Sequence, residues 1–283
     1  MKKRVFLNTN ERKKIGEEYL QGNSSLKLAK KYDCDKKTIL NILKELQIKR
    51  KSTSVANRKY SVNENYFEKI DSKDKAYFLG FLVSDGCNMG NRIILSLHKN
   101  DIDILKILKD YIKSEKNIIL HKYRNMCTLG INSTKISKDL EQYGVVKAKT
   151  HKTYFPDIPE EYWSHFIRGV FDGDGSIVIN KRNENNTQVS LSICGNIDLI
   201  AKIQQILFLK CNLKKLTAFG KTKTKNIVIM IYNGNIQVNK IYQWLYQDCD
   251  DLYLTRKKEK IGKVLDGRDC TKRIRIKPGK YKK

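Results

Sequence analysis

The chain has 283 residues, of which 40% are hydrophobic, so it is long enough for two domains and apolar enough to build a core. Its 57 Lys and Arg residues against 30 Asp and Glu give a formal net charge of +27, which indicates a polyanionic partner such as nucleic acid. No apolar run approaches the roughly 20 residues that span a bilayer, and the basic N-terminus lacks the apolar stretch of a signal peptide.

Residues 1–48 predict a small all-α domain of the helix-turn-helix type. ERKKIGEEYLQG, SSLKLAKKY and DCDKKTILNILKEL each read as a helix, and Asp35 is placed to cap the third. We expect their apolar residues to face inward: Ile15, Tyr19, Leu20, Leu26, Ala29, Ile39, Leu43 and Leu46. The outward face of the third helix carries residue types that reach phosphates and base edges: Lys36, Lys37, Asn41 and Lys44. A plain three-helix bundle with a solvated lysine face is the alternative.

Residues 49–62 are basic and poor in apolar groups, which predicts a linker, and from residue 63 the chain repeats itself. LSLHKNDIDILKI, starting at Leu95, is matched by LSICGNIDLIAKI, starting at Leu191. Each copy reads as a strand that turns into a helix, with two short strands and a helix after it and an apolar helix before it. In the second copy we expect those short strands near residues 213–219 and 226–232.

This repetition predicts an α+β fold of two pseudo-symmetric αββαββα halves with antiparallel sheets. The first half covers residues 63–155 and the second covers residues 156–262. Residues 263–283 form a basic tail without a core pattern.

The two apolar helices, FLGFLVSDG (78–86) and IRGVFDGDG (167–175), carry small residues at helical spacing. Glycine inside a helix costs about 0.5–1 kcal/mol relative to alanine, so its recurrence at matched places indicates close packing of two helices. The expected contact residues are Gly80, Ser84, Gly169 and Gly173. Such packing brings Asp85 and Asp174 side by side at the ends of the two helices.

Two adjacent carboxylates at the negative ends of two helix dipoles need a compensating positive charge. Hard divalent cations prefer carboxylate and carbonyl oxygens, so we expect a metal site of Asp85, Asp174 and the backbone carbonyls of Ser84 and Gly173. Ions in such a site stabilise the attacking and leaving oxygens of phosphodiester hydrolysis. An Asp-Gly pair also ends ordinary helices, but its duplication in a very basic chain favours the metal site.

The paired helices and the order of the elements resemble the LAGLIDADG homing endonucleases over about residues 63–262. The resemblance implies a monomer that lays two saddle-shaped sheets over the major groove of double-stranded DNA and cuts a long specific site. It implies Mg²⁺ as the cofactor, with Mn²⁺ as a substitute. Asp85 and Asp174 match the essential last acid of the motif, whereas the sixth motif position is Val83 in one half and Asp172 in the other. The N-terminal unit is similar to DNA-binding modules appended to free-standing members.

The family also places one lysine of each half near the scissile phosphates. The resemblance implies Lys149 for the first half and Lys257 for the second. The choice stays open, because YGVVKAKT also contains Lys147, and YLTRKKEK also contains Arg256 and Lys258.

A polar residue that orders active-site water in the family is matched by Lys99 in the first half, whereas the second half offers only Gly195 or Asn196. We expect DNA contacts from outward strand residues and from the hairpins. These are Arg92, Ser96, His98, Lys99, Lys122, Arg124, Lys181, Arg182, Gln188, Ser190, Lys221, Lys223 and Lys225.

Other interpretations are open to a test. A catalytically silent relative, such as an RNA-binding intron maturase or a DNA-binding regulator, would share the fold, although the presence of both aspartates argues for cleavage. We do not expect an intein, since the chain begins with Met and ends in KPGKYKK rather than a His-Asn pair. The seven cysteines contain no CxxC pair, so we expect reduced thiols in a cytoplasmic or organellar protein that is not secreted.

Overall fold

A computed structural model describes residues 7–50, 60–147, 153–183 and 186–265, with the side chains of residues 181–183 and 186 left out of the description. The chain divides into two compact units, Met1–Lys59 and Tyr60–Lys283. Most of the expected linker and most of the basic tail lie outside the described residues. None of the helices in the described ranges combines the length and the apolar character needed to cross a lipid bilayer.

The described residues of the first unit form three helices, α1 (Thr9–Leu20), α2 (Ser25–Lys31) and α3 (Lys36–Glu45). Helix α1 begins with a capping box, in which Asn8 accepts from the backbone N–H of Glu11 and the Glu11 carboxylate accepts from the backbone N–H of Asn8. The core of this unit is formed by Leu7, Ile15, Tyr19, Leu28, Ala29, Ile39, Ile42 and Leu43.

Some details of this unit differ from the sequence prediction. Leu20, Leu26 and Leu46 are exposed, and Leu28 and Ile42 are buried instead. Leu26 and Leu28 are about 200° apart around their helix, so only one of them faces the core, while Leu20 and Leu46 stand at the last turns of α1 and α3. Asp35 occupies the N-cap position of α3, but its side chain makes no capping hydrogen bond.

The second unit contains the two predicted αββαββα halves, which confirms the α+β fold. The first half is α4 (Lys73–Asp85), β1 (Gly86–Asn88), β2 (Ile93–His98), α5 (Ile102–Tyr111), β3 (Ile119–Leu120), β4 (Met126–Ile131) and α6 (Thr134–Glu141). The second half is α7 (Trp163–Asp174), β5 (Gly175–Asn183), β6 (Asn186–Asn196), α8 (Ile197–Lys210), β7 (Gly220–Lys221), β8 (Ile227–Asn233) and α9 (Asn235–Tyr246). A further helix, α10 (Thr255–Leu265), follows the second half.

The expected strand at residues 213–219 is wrong, because β7 lies at Gly220–Lys221. The Gln204 side chain of α8 donates to the backbone carbonyl of Thr217 at 2.8 Å, so this segment is held against a helix. Strand pairing therefore starts only after it.

Each half forms a four-stranded antiparallel sheet, ordered β1-β2-β4-β3 and β5-β6-β8-β7. Burial alternates along the strands, as in β2, where Ile93, Leu95 and Leu97 are buried and His98 is exposed. The inner faces and the helices build one continuous core. One face of each sheet therefore remains outside the core.

Helices α4 and α7 pack against each other along their small residues. A Cβ added to Gly80 would lie 2.1 Å from the backbone oxygen of Phe166, and one added to Gly169 would lie 2.1 Å from that of Tyr77. At the next turn, a Cβ on Gly173 would lie 1.9 Å from Ser84 Oγ. All four small residues named from the sequence thus lie at the contact, and the two helices run in the same direction.

The substitution Gly80→Ala is expected to destabilise the protein by about 3 kcal/mol or more, because the added methyl group meets backbone rather than a movable side chain. Chemical denaturation of both proteins measures this difference. Gly220→Ala is the matched control, since a Cβ there would make ordinary contacts, the nearest at 3.6 Å. Equal losses from the two substitutions would contradict backbone-to-backbone packing of α4 and α7.

Candidate active site

The acid-terminated helices end together. Asp85 and Asp174 are the last residues of α4 and α7, and both are exposed. The Asp85 carboxylate oxygen Oδ2 lies 3.3 Å from the position that a Cβ on Gly173 would occupy, one residue before Asp174. The close approach of the two backbones therefore brings both carboxylates to the same end of the helix pair.

The glycine after each aspartate lets the chain turn directly from helix to strand. A Cβ on Gly86 would lie 2.5 Å from the backbone oxygen of Leu82, and one on Gly175 would lie 2.3 Å from that of Phe171. No side chain fits at either place. The strands β1 and β5 consequently start at once, and each acid is fixed between a buried helix and a sheet.

Lys257, in the first turn of α10, is buried at the end of α7. Its Nζ donates at 2.7 Å to the carbonyls of Phe171, Asp172 and Gly175, and at 3.4 Å to that of Gly173. The last carbonyls of a helix have no partners within it, and their dipoles favour a cation. The ammonium group therefore satisfies the C-terminal end of the helix that carries Asp174.

Burial lowers the pKa of Lys257 to about 8, while the nearby carboxylates, first Asp172 and then Asp85 and Asp174, act to raise it. The charges of both exposed acids thus act on the Lys257 ammonium group. Of the three cationic residues that the sequence offered here, only Lys257 lies at the end of α7. Arg256 Nε donates to both carboxylate oxygens of Asp101 in the first half, and Lys258 Nζ lies 3.8 Å from the Tyr253 ring centroid.

Asp172, the acid at the sixth motif position, is buried between Tyr77 of α4 and the residue that precedes α10. Its Oδ2 accepts from the Tyr77 hydroxyl and from the backbone N–H of Leu254, both at 2.9 Å. Burial raises its pKa to about 6, although Lys257 and the hydrogen bonds oppose this rise. Asp172 therefore holds the residue that precedes α10, and with it the start of the helix that carries Lys257.

Arg168, one turn earlier on α7, is fully buried. Its guanidinium donates to the backbone carbonyls of Leu252 at 2.8 Å and Leu245 at 2.7 Å. These bonds fix the connection between α9 and α10. The matched motif positions of the first half are Leu79 and Val83, so this polar network belongs to the second half alone.

His165 is the third partner of Arg168. Its Nδ1 lies 2.9 Å from a terminal nitrogen (Nη2) of the Arg168 guanidinium. Burial, and then Arg168 and Lys73, lower the pKa of His165 to about 4, against the opposing charges of Asp248 and Asp250. As the pH falls below the ordinary value of 6.5, the unfolded chain takes up a proton on His165 before the folded protein does. The contribution of His165 to stability is therefore fully present above pH 6.5 and is lost as the pH falls toward 4.

His165→Gln keeps an acceptor for Arg168 and removes the titrating group. Between pH 7.5 and 5.5, we expect the variant to lose about 1 kcal/mol less unfolding free energy than the wild type. Urea denaturation at the two pH values measures this. The raised pKa of Asp172 has the opposite effect on the pH dependence of stability, but Asp172 is present in both proteins. The difference in unfolding free energy between the variant and the wild type therefore reports on His165. Parallel pH profiles of the two proteins would contradict the lowered pKa.

The outer face of the first sheet is polar at its centre. Thr128 Oγ1 lies 2.8 Å from Ser96 Oγ and 2.9 Å from His121 Nε2. The Arg92 guanidinium lies over Gly130, since a Cβ there would be 2.4 Å from its terminal nitrogen. The other predicted DNA contacts of this half are exposed side chains at the ends of strands or in the β3–β4 hairpin: His98, Lys99, Lys122 and Arg124.

In the second sheet, Gln188 and Ser190 are half-buried on the outer face of β6. The β7–β8 hairpin carries three exposed lysines, Lys221, Lys223 and Lys225. Lys181 and Arg182 belong to β5, but their side chains lie outside the description. In the first unit, the four predicted contacts on α3 are all exposed: Lys36, Lys37, Asn41 and Lys44.

The second half offers two candidates for the water-ordering residue. Asn196 is buried and accepts from the backbone N–H of Asp198, and Gly195 has no side chain. Cys194, which sequence reasoning missed, follows the residue that pairs with Gly175 and so lies near Asp174; burial, and then the charge of that carboxylate, raise the pKa of the Cys194 thiol. Only the strand register reveals this, since Gly175 pairs with Ile193. Lys149 lies outside the described residues, and Lys147 is exposed.

A scan against models of protein families finds no match, and a search of curated proteins finds none either. Solved structures do match. The LAGLIDADG meganuclease I-CpaMI bound to uncleaved DNA aligns with 16% identity and a TM-score of 0.50 over 68% of this chain and 90% of that one. The I-LtrWI LAGLIDADG homing endonuclease bound to target DNA has 10% identity and a TM-score of 0.46 over 72% and 91% of the two chains. I-SmaMI bound to an uncleaved DNA target in the presence of calcium ions has 12% identity and a TM-score of 0.43 over 68% and 97% of the two chains.

Together with the sheet order and the paired acid helices, the likeness to I-CpaMI shows that this chain has the two-domain saddle fold of the LAGLIDADG homing endonucleases.

Proposed function

We propose that this protein is a divalent-metal-dependent endonuclease that cuts both strands of a long, specific double-stranded DNA site. The observation that carries the proposal is the position of the Asp85 carboxylate over Gly173, next to Asp174, with both acids acting on Lys257. Two exposed carboxylates at the negative ends of two helices are costly without a cation. A divalent cation bound between the two carboxylates would offset this repulsion.

The residues at this place fit a hard divalent cation. The described residues contain no group of three His, Cys, Asp or Glu side chains that could hold a metal. Mg²⁺ in phosphate-processing sites is often held by one or two carboxylates together with substrate phosphates and water, so two aspartates suffice when DNA is bound. We therefore propose Asp85 and Asp174 as ligands of Mg²⁺, which Mn²⁺ can replace, with the carbonyls of Ser84 and Gly173 as further donors. When bound, the cation activates water and offsets charge on the scissile phosphate.

The remaining roles belong to the protein. The two carboxylates would hold the cation where α4 and α7 end, and their exposed position leaves room for a phosphate. Lys257 adds a buried positive charge beside them, which stabilises the additional negative charge of the pentavalent phosphate. Lys149 is the proposed counterpart in the first half. The outer sheet faces and the lysine-bearing hairpin hold the duplex so that this phosphate reaches the acids.

The test is cleavage of a randomised duplex library by the purified full chain with Mg²⁺. We expect cleaved molecules to converge on one long site and to be absent when EDTA replaces Mg²⁺. Binding to a selected duplex without cleavage in either Mg²⁺ or Mn²⁺ would favour the catalytically silent, DNA-binding relative. Preference for a structured RNA would favour a maturase.

The first unit is proposed as an accessory DNA-binding module of the helix-turn-helix type. Its α3 face carries the exposed Lys36 and Lys37. If both contact phosphates, Lys36→Ala/Lys37→Ala will reduce the slope of log binding constant against log salt by about 2. A fluorescence titration at several salt concentrations measures it. The matched control is Lys13→Ala/Lys14→Ala on α1, and an equal change from both double variants would contradict a specific role for α3.

A further inference from the structure

Strand β8 carries three isoleucines on the face that points away from the core. These residues, Ile227, Ile229 and Ile231, are named here the isoleucine stripe. All three are half-buried, whereas their neighbours on the inner face, Met230 and Tyr232, are fully buried. The stripe therefore belongs to the outer surface of the second sheet.

The stripe is left open by the edge strand beside it. Gly220 of β7 pairs with Ile229, and a Cβ added to Gly220 would lie 3.6 Å from the Ile229 Cβ. A larger residue at this position would cover part of the stripe. On its other side lies β6, where Ile231 pairs with the small polar Ser192.

The equivalent strand of the first half has a different surface. The outward positions of β4, the third strand in the order of its sheet, are Met126, Thr128 and Gly130. Thr128 is hydrogen-bonded within its sheet, and Gly130 is covered by the Arg92 guanidinium. Three aliphatic side chains in a row are thus a feature of the second half and not of the fold.

The surroundings of the stripe are cationic and polar. The turn of the β7–β8 hairpin carries the exposed Lys223 and Lys225, and β6 contributes Gln188 and Ser190 on the face of the stripe. A lysine rim with small hydrogen-bonding groups is complementary to phosphates and base edges. In the major groove of DNA, the apolar group on a base edge is the C5-methyl of thymine.

We propose that the isoleucine stripe reads thymine methyl groups in the half of the DNA site bound by the second half of the protein. This rests on the DNA-binding surface of the proposed function and does not require cleavage. It predicts a half-site with thymines at two or more positions facing β8. Each methyl group buried against an isoleucine is expected to strengthen binding about fourfold, which corresponds to about 0.8 kcal/mol at 1.4 kcal/mol per tenfold.

The experiment begins with selection of duplexes from a random library by binding of the full chain in EDTA, so that hydrolysis plays no part. Deoxyuridine then replaces thymidine at each position of the selected site, which removes only the methyl group. We expect about a fourfold loss of affinity at each position read by the stripe, and about 16-fold for two together. A selected site with no thymine in one half, or affinity that is unchanged by deoxyuridine throughout, would overturn the proposal.

Variants assign the effect to β8. Ile229→Ser is expected to abolish the preference for thymine over uracil at one position and to leave the melting temperature nearly unchanged, because the side chain lies outside the core. Met126→Ser on β4 is the matched control and should leave that preference intact. Deoxyuridine effects that persist in Ile229→Ser and in the corresponding serine variants of Ile227 and Ile231 would overturn the assignment. Thymine-dependent binding without cleavage would contradict the nuclease alone, and cleavage without thymine dependence would contradict the stripe alone.

Discussion

Asp85→Asn and Asp174→Asn will each reduce double-strand cleavage by at least about a thousandfold while DNA binding is retained. A cation beside a scissile phosphate supplies several kcal/mol of charge stabilisation, and each 1.36 kcal/mol corresponds to a factor of ten in rate. The amide keeps the size of the side chain and loses the charge that holds the cation. Single-turnover cleavage of the selected duplex, with binding measured in EDTA, separates the two quantities.

The controls make the same chemical change elsewhere in each half. Asp103 lies in the first turn of α5 and Asp198 in the first turn of α8, the equivalent helix. Asp103→Asn and Asp198→Asn should cleave at nearly the wild-type rate. Cleavage that persists in both Asp85→Asn and Asp174→Asn would refute the assignment of the site. Loss of binding in those variants would mean that the acids act in folding rather than in catalysis.

Lys257→Met will reduce the cleavage rate by at least about a hundredfold, the second largest effect that we expect. The loss of a preorganised charge at the transition state typically costs this much. Methionine has nearly the same length, so the space is filled, but the carbonyls of Phe171, Asp172 and Gly175 lose their donor. If each half serves mainly one strand, the variant should accumulate nicked circular DNA from a supercoiled plasmid.

Lys258→Met is the matched control, because Lys258 is the next residue and its Nζ lies over the Tyr253 ring, away from α7. It should produce linear DNA at a nearly normal rate. Lys257→Met also destabilises the fold, because three backbone carbonyls lose their donor. The melting temperature and the affinity for DNA in EDTA are therefore measured for both lysine variants. Lys257→Met protein that is folded, binds DNA and cuts both strands equally well would exclude a catalytic role for Lys257.

The arrangement of the two halves could be predicted because the same glycine-containing helix occurs in both halves of the sequence. Gly80 and Gly169 recur at matched places and each excludes a side chain, so one sequence feature implies the helix contact and the position of the two acids. Lys257 was identified only through the resemblance. Its four carbonyl partners depend on where α10 begins, and no local pattern near Lys257 indicates that.

Other features depend on tertiary structure. Cys194 is near Asp174 because of the register between β5 and β6, and a register is not encoded in either strand alone. The bond from the Leu254 backbone to Asp172 joins residues that are distant in sequence. The outward isoleucines of β8 were missed because a run of aliphatic residues predicts a buried strand, without saying which face is covered.

The polar network of Arg168 and Asp172 bears on how this protein can be engineered. Because these two side chains grip the segment from Leu245 to Leu254, the second half is not self-sufficient if it is cut at the end of α9. A chimera that joins this half to a foreign partner would need to extend through α10. The ion pair between Arg256 and Asp101 would then need a new acid in the foreign half. A symmetric dimer of the first half would lack this polar network, because Leu79 and Val83 occupy the equivalent positions and have no polar side-chain group. The two halves are thus attached to the rest of the unit in different ways, and designs that exchange one half have to take this into account.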